Sequence, residues 1–506
     1  MVRQIINKIK ELDRKLGIPN WLCCLLGLTL ILRIPSFFEP YSYGDEMIYL
    51  TLGEGIRHGL TLYKNIHDNK PPLIYLLAAI GGNLFWFKVI LAFWMLVTVV
   101  VFWKLTTILF ENNTKLQKIA TVIFALLSTL PLLEGNIVNS ELFLIGPIML
   151  AFLILLTKPN YKKIFFAGLL FSLAALFKIP ASFDVPAVVL FWIVVSKINK
   201  ENVISIIKKT FVLALGFILP ILATFIWYWT KGAFNEYLVA AFLQNVGYLS
   251  SWRGGENQTP FLVKNGPLLL RSSVILIGLV ILKIKNKKLS TPFIFATIWL
   301  LTSLFAATLS ERPYPHYLIQ SIAPISILTA ILLASTRIEQ ALAVIPLFLA
   351  LLVPVYYKFY YYSTFTYYSR FIRFATHQIS KEEYFDEFDS HVNRNYKIAK
   401  YLSISSNYND PVFVWGDSPP IYALSKRLPP FKYVANYHIS DFSSKEDVIK
   451  ALQSNPPKFI VTLEEGGSFP ALGSFLALNY VPVETSSNYE IWIKINIPKP
   501  QLRLPQ

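Results

Sequence analysis

Long apolar blocks separated by short polar breaks fill the chain up to about residue 357, after which the pattern changes. A bilayer-crossing helix takes about 20 apolar residues in a row. Blocks near 20–37, 84–110, 118–133, 142–157, 163–178, 182–196, 210–229, 264–283, 291–309, 318–335 and 340–357 therefore predict about eleven transmembrane helices. The block PPLIYLLAAIGG at 71–82 is too short to span and reads as a re-entrant or interfacial helix. From about 381 polar residues dominate and helical and strand patterns alternate. KEEYFDEFDSHVNRNYKIAKYL predicts one polar-faced helix. PVFVWG and KFIVTL predict short buried strands. SSKEDVIKALQSN opens with a serine cap and acidic residues in its first turn, and YVPVETSSNYEIWIKI reads as a hairpin. The expected architecture is a polytopic α-helical module over 1–357, a linker over 358–380 and a small α/β domain over 381–506.

Composition agrees with that pattern. Hydrophobic residues make up 54% of the 506 positions and charged residues only 15%, where a soluble protein has about a quarter charged. The net charge of +17 would suggest nucleic acid in a soluble protein. In a membrane protein it has a plainer origin, because Lys and Arg concentrate in cytoplasmic loops. With the N-terminus (Arg3, Lys8, Lys10, Arg14, Lys15) inside, the basic loops all fall on the same side. They carry Lys115 and Lys118; Lys158, Lys162 and Lys163; Lys197, Lys200, Lys208 and Lys209; Lys283, Lys285, Lys287 and Lys288; and Arg337. This asymmetry predicts an odd number of helices, a cytoplasmic N-terminus and an extracytoplasmic C-terminal domain in a plasma or inner membrane. Cys23 and Cys24, both in the first apolar block, form no disulfide framework. That block lacks a small-residue cleavage site and reads as a retained helix. No internal repeat is visible, which argues against transporters built from duplicated halves.

Four segments then face outward: about 38–83, EGNIVNSE at 134–141, 230–263 and SERPYPHY at 310–317. The third contains NEYLVAAFLQNVGYL, an amphipathic stretch suited to lying on the membrane surface. The first carries Asp45, Glu46, Glu54, Arg57, His58, Lys64, His67, Asp68 and Lys70, interleaved with Tyr41, Tyr43, Tyr49 and Tyr63. Charged loop residues are usually just solvated. Here the tyrosines suit headgroup depth, and Lys70-Pro71-Pro72 holds a lysine in extended geometry at the mouth of an apolar helix. Ionisable groups kept at membrane depth are costly and usually functional. Asp45 and Lys70 are therefore the leading candidates. Lys178, in LFKIPASF, is either a snorkelling lysine or an anion ligand. His58 and His67 match no metal-binding spacing. Trp252-Arg253-Gly254-Gly255 suits a turn or an acceptor path, and Asn257-Gln258-Thr259 matches the glycosylation triplet, a chance match unless the source is eukaryotic or archaeal.

In order along the chain, Gly44-Asp45-Glu46, Gly59 with Tyr63, and Asp68-Asn69-Lys70-Pro71-Pro72-Leu73 resemble the motifs of the polyprenyl-phosphate-dependent glycosyltransferases of the GT-C fold, of the protein mannosyltransferase and aminoarabinose transferase type. Asn139 and Glu141 resemble the family's second acidic position, and Arg312, Tyr314, His316 and Tyr317 its R-x-Y-x-H-Y segment. The resemblance covers most of 20–335 and is specific for the superfamily, not for a substrate. One departure stands out. Aminoarabinose transferases carry a phosphate-contacting Arg three residues after the acid, and here that position is Ile48, which argues against a lipid A aminoarabinose transferase.

The resemblance implies sugar transfer from a polyprenyl phosphate to a hydroxyl of a glycan, lipid or protein acceptor on the extracytoplasmic face, with inversion. Such chemistry needs a base for the hydroxyl proton and cations for the departing phosphate. Asp45 would be the base, with Glu46 binding substrate or capping the following helix, and Glu141 would orient the acceptor or Asp45. Lys70, Arg312, His316, Tyr317, Lys178, His67 and Asp68 would bind substrate. No cofactor is expected. Related oligosaccharyltransferases use a divalent metal and the mannosyltransferase type does not, so a metal is not favoured. Membrane lipids are expected partners and nucleic acid is not. The alternatives are a transporter or flippase of lipid-linked sugars, which should place its essential charges at the bilayer midplane, and an assembly protein working through its outer domain.

Overall fold

The computed structural model describes residues 17–247 and 261–495. The basic N-terminal residues Arg3 to Lys15, the Trp252–Gly255 turn and the Asn257 triplet lie outside the described residues.

Each of the eleven expected spans contains a helix. Among the described residues six are long and apolar enough to cross a membrane: Asn20–Phe38, Leu84–Phe110, Lys200–Thr230, Gly266–Lys288, Pro315–Ala334 and Glu339–Tyr356. The others are shorter, such as Thr114–Leu127, Ser140–Leu156, Tyr161–Ala175, Val185–Val195 and Thr291–Ala307. At 1.5 Å per residue, the 14 residues of Thr114–Leu127 extend about 21 Å, less than a hydrocarbon core of about 30 Å. Leu73–Gly81 is a nine-residue helix, as its length suggested.

The chain divides into two compact units. The first takes 1–38, 69–77 and 85–378, and the second 39–68, 78–84 and 379–506. The second takes in, with its C-terminal stretch, most of the outer segment that the sequence pattern grouped with the membrane helices.

In the first unit, Lys200–Thr230 packs along Tyr161–Ala175, which packs in turn on Ser140–Leu156. The crossing depends on missing side chains. A Cβ on Gly168 would lie 2.3 Å from the Leu213 carbonyl oxygen, and one on Gly216 would lie 2.1 Å from that of Phe165. Small residues of this kind let membrane helices approach closely. Thr291–Ala307 is buried on nearly every side. Lys200–Thr230 and Gly266–Lys285 instead leave apolar residues such as Phe211, Ile226, Leu276 and Ile277 exposed, as a lipid-facing helix should. The expected linker contains a helix of its own, Thr364–Ala375, started by the Ser363 side chain.

The second unit carries a four-stranded sheet, β1 (Val412–Trp415), β2 (Phe459–Leu463), β3 (Tyr480–Thr485) and β4 (Tyr489–Lys494), in the order β1-β2-β4-β3. β1 and β2 are parallel; β4 runs antiparallel to both β2 and β3. The two buried strands, the hairpin and the Ser444-capped helix Lys445–Ser454 all lie where the pattern predicts. The single helix expected from 381 is two, Lys381–Asp386 and Val392–Ser405. Asp389 turns the chain between them by accepting the His391 amide at 2.7 Å, a local bond that competes with helix continuation.

Candidate functional site

The opening acidic pair lies on a helix, Gly44–Arg57, and not in a loop. Every residue from Glu46 to Gly55 is buried, and the helix packs on Pro419–Ser425 within the second unit. Asp45 and Glu46 occupy its first turn, where the helix dipole favours negative charge. Asp45 is half-buried and its Oδ2 accepts the Tyr49 hydroxyl at 3.0 Å. Glu46 is only 1% exposed. Tyr43, not an acid, occupies the N-cap. Ile48 is fully buried, so the helix presents no cation at the position that departs from the resemblance.

The far end of this helix is pinned by the C-terminal residues. The Tyr408 hydroxyl donates to Glu54, and the Tyr408 ring stacks on His58 with centroids 4.1 Å apart. Burial and the Glu54 carboxylate push the Tyr408 hydroxyl up to about 12. Gly53 is required by proximity, because a Cβ there would lie 2.6 Å from the Ala79 nitrogen.

His67 and Asp68, expected to bind substrate, are both buried. The His67 amide donates to the Lys432 carbonyl at 2.8 Å, its ring meets Tyr433 and Phe442 edge-on, and His438 Nε2 lies 3.5 Å from Asp68 Oδ1. In this geometry the pair ties its segment to residues 432–442. The sequence alone could not reveal this, because the partners lie some 370 positions away.

In the first unit the structure brings together several of the remaining candidates. Glu141 opens the helix Ser140–Leu156 and is 3% exposed. Its Oε1 accepts from the Lys178 ammonium, which also lies 4.0 Å above the Tyr317 ring. His316 stands between two carboxylates. Its Nδ1 pairs with Glu134, and its Nε2 is 3.9 Å from Glu141 Oε1. Tyr314 stacks on His316 at 5.6 Å. Arg312 is half-buried in the loop just before this segment. Lys70 is also half-buried; its amide donates to the Tyr75 hydroxyl at 3.3 Å.

Glu134 was not singled out by its motif, although it organises this cluster. Its Oε2 also accepts from Asn139 Nδ2 at 3.2 Å, and the Tyr362 hydroxyl bonds to it. Burial, with Glu134 second, raises the Tyr362 hydroxyl's pKa. The available signal was the Glu-Gly step: Glu134 has φ 58°, a region non-glycine residues rarely adopt. A second missed group is Asp184, which accepts from Trp299 Nε1 at 2.8 Å and Gln320 Nε2 at 2.6 Å. Among the described residues no group of three His, Cys, Asp or Glu side chains is gathered for a metal ion.

No protein-family model and no curated protein matches the chain. Solved structures do. ArnT from Cupriavidus metallidurans bound to undecaprenyl phosphate matches with a TM-score of 0.57 at 13% identity, over 96% of this chain and 99% of that one. Its apo state matches with a TM-score of 0.57 at 11% identity, over 94% and 98%. The archaeal oligosaccharyltransferase AglB from Archaeoglobus fulgidus, in complex with an inhibitory peptide and a dolichol phosphate, gives a TM-score of 0.46 at 11% identity, over 95% and 75%. Over nearly its whole length, therefore, the chain has the GT-C fold of ArnT: a polytopic helical membrane protein with a small sheet-bearing C-terminal region.

Proposed function

We propose that the chain is a membrane glycosyltransferase that moves a sugar from a polyprenyl-phosphate donor to an acceptor hydroxyl on the extracytoplasmic face. The observation that carries this reading is the end-to-end likeness to ArnT, whose structure holds undecaprenyl phosphate. Asp45, held by Tyr49 at a helix N-terminus, takes the acceptor proton. The acceptor oxygen bonds to the anomeric carbon while the bond to the phosphate oxygen breaks, inverting the centre. The electron pair leaves with the polyprenyl phosphate, whose charge Lys70 stabilises, with Arg312 assisting. The Lys178–Glu141–His316 cluster orients the acceptor, and no divalent metal is invoked. Buried Glu141 and Asp184 and half-buried Lys178 stand at helix ends and not midway along spans, which suits surface chemistry better than a transport path.

The test is to incubate the purified chain with radiolabelled polyprenyl-phosphate sugars, with and without EDTA. Release of polyprenyl phosphate together with a labelled product supports the reading. No turnover of any donor overturns it, and turnover abolished by EDTA overturns the metal-free chemistry.

A further inference from the structure

Within the second unit a cleft of about 290 Å³ opens between the sheet and the helix Pro470–Asn479. At about 30 Å³ per water it would hold roughly ten waters, room for one small substituted ring. Its location follows from the topology. Trp415 and Thr462 are register partners near the carboxyl ends of the parallel strands β1 and β2, and Thr462 pairs in turn with Glu490 on β4. Partners in register share a face, so Trp415, Thr462 and Glu490 form one row along the cleft. β2 is where this sheet turns from parallel to antiparallel pairing, so the row crosses from β1 over β2 to β4 on one face.

The lining is divided in character. Trp492, partly exposed, supplies aromatic surface, while buried Trp415 and Phe469 form the floor. Glu490 supplies a carboxylate whose Oε2 already accepts Trp492 Nε1 at 3.2 Å and Thr462 Oγ1 at 3.4 Å. Lys445 spans two of the lining rings, 5.5 Å from Trp415 and 5.4 Å from Phe469, and donates to the Ser468 carbonyl at 2.8 Å. On the helix side Gly473 leaves the space bare, for a Cβ there would meet nothing within 4 Å.

We propose that this cleft binds a single sugar ring, its C–H face against the Trp492 indole and its hydroxyl edge toward Glu490. Pockets that combine aromatic walls with a few placed polar groups select amphipathic ligands, and a pyranose has one apolar face and a rim of hydroxyls that both donate and accept. In a glycosyltransferase that ring belongs to the acceptor glycan; this identification alone rests on the reading above. The experiment is saturation-transfer NMR on the full chain, in a detergent without a sugar headgroup, with methyl glucoside, methyl mannoside, methyl galactoside and N-acetylglucosamine as probes. At least one should bind saturably, roughly tenfold or more weakly in Glu490→Gln, and not at all in Gly473→Leu, which fills the cleft. Both variants should melt with the wild type, since neither changes the buried core. Saturable binding to none of the probes, or equal binding in both variants, overturns the proposal. Because the assay uses no lipid donor, it can fail while sugar transfer succeeds, and the reverse.

Discussion

At the scale of single residues, the expected roles divide between Asp45 and the cations. Asp45→Asn keeps the shape and the Tyr49 contact but cannot take a proton. Transfer should vanish while the melting temperature stays close to wild type; a fully active Asn variant would remove Asp45 as the base. Lys70→Ala should lower the donor-dependent rate on the order of 100-fold, as removing one preorganised charge-stabilising donor does. Ile48 is apolar and buried, so it gives no redundancy. Lys70→Arg should recover part of the loss. Varying the donor at fixed acceptor decides the point, since unchanged kinetics in Lys70→Ala would assign the phosphate to Arg312 or Lys178. Asp45 and Lys70 could be put forward from the sequence because each stands in a local motif. Glu134 was not, because its importance comes from His316, 182 positions further on.

At the scale of elements, two arrangements carry consequences. The turn at Glu134 feeds a buried acceptor to His316, Asn139 and Tyr362 at once. Glu134→Ala leaves a buried histidine and amide without it, and breaking a buried pair from one side costs about 3–5 kcal/mol. The variant should inactivate markedly faster on heating, and a wild-type thermal half-life would show that the cluster is not structural. The second arrangement is the helix Gly44–Arg57, whose outer end is held by Tyr408 through Glu54. Tyr408→Phe keeps the ring stacked on His58 and removes the hydroxyl. Its expected effect is a lower kcat with an unchanged melting temperature, because the helix bearing Asp45 loses its alignment before it loses its packing. Unchanged kcat would mean that packing on Pro419–Ser425 suffices. Periodicity located most elements correctly, from Leu84–Phe110 to the hairpin. It overlooked Gly44–Arg57 because the charges of that segment looked like a loop, and its apolar residues acquire a face only against Pro419–Ser425.

At the scale of the whole molecule, the basic loops make a clear prediction about orientation. Single cysteines placed near 160, 286 and 440, in a background lacking Cys23 and Cys24, can be probed on intact cells with an impermeant thiol reagent. Position 440 should label and the other two should not; labelling at 160 or 286, or none at 440, would reverse the topology. What the sequence determined by itself was whatever depends on local composition: a polytopic helical membrane protein, a polar α/β tail, and the short motifs around Asp45 and Lys70. Hydrophobic transfer and helix or strand periodicity act over a few turns of chain, so they can be read from the chain directly. What only the tertiary structure decided was which distant groups meet. It joined residues 39–68 with the C-terminal domain, buried His67 and Asp68 against 432–442, and assembled Glu134, Glu141, Lys178 and His316 from three separate segments. The physical reason is that a buried charge must find a partner, and that partner can come from anywhere along the chain that the packing brings within a few ångströms.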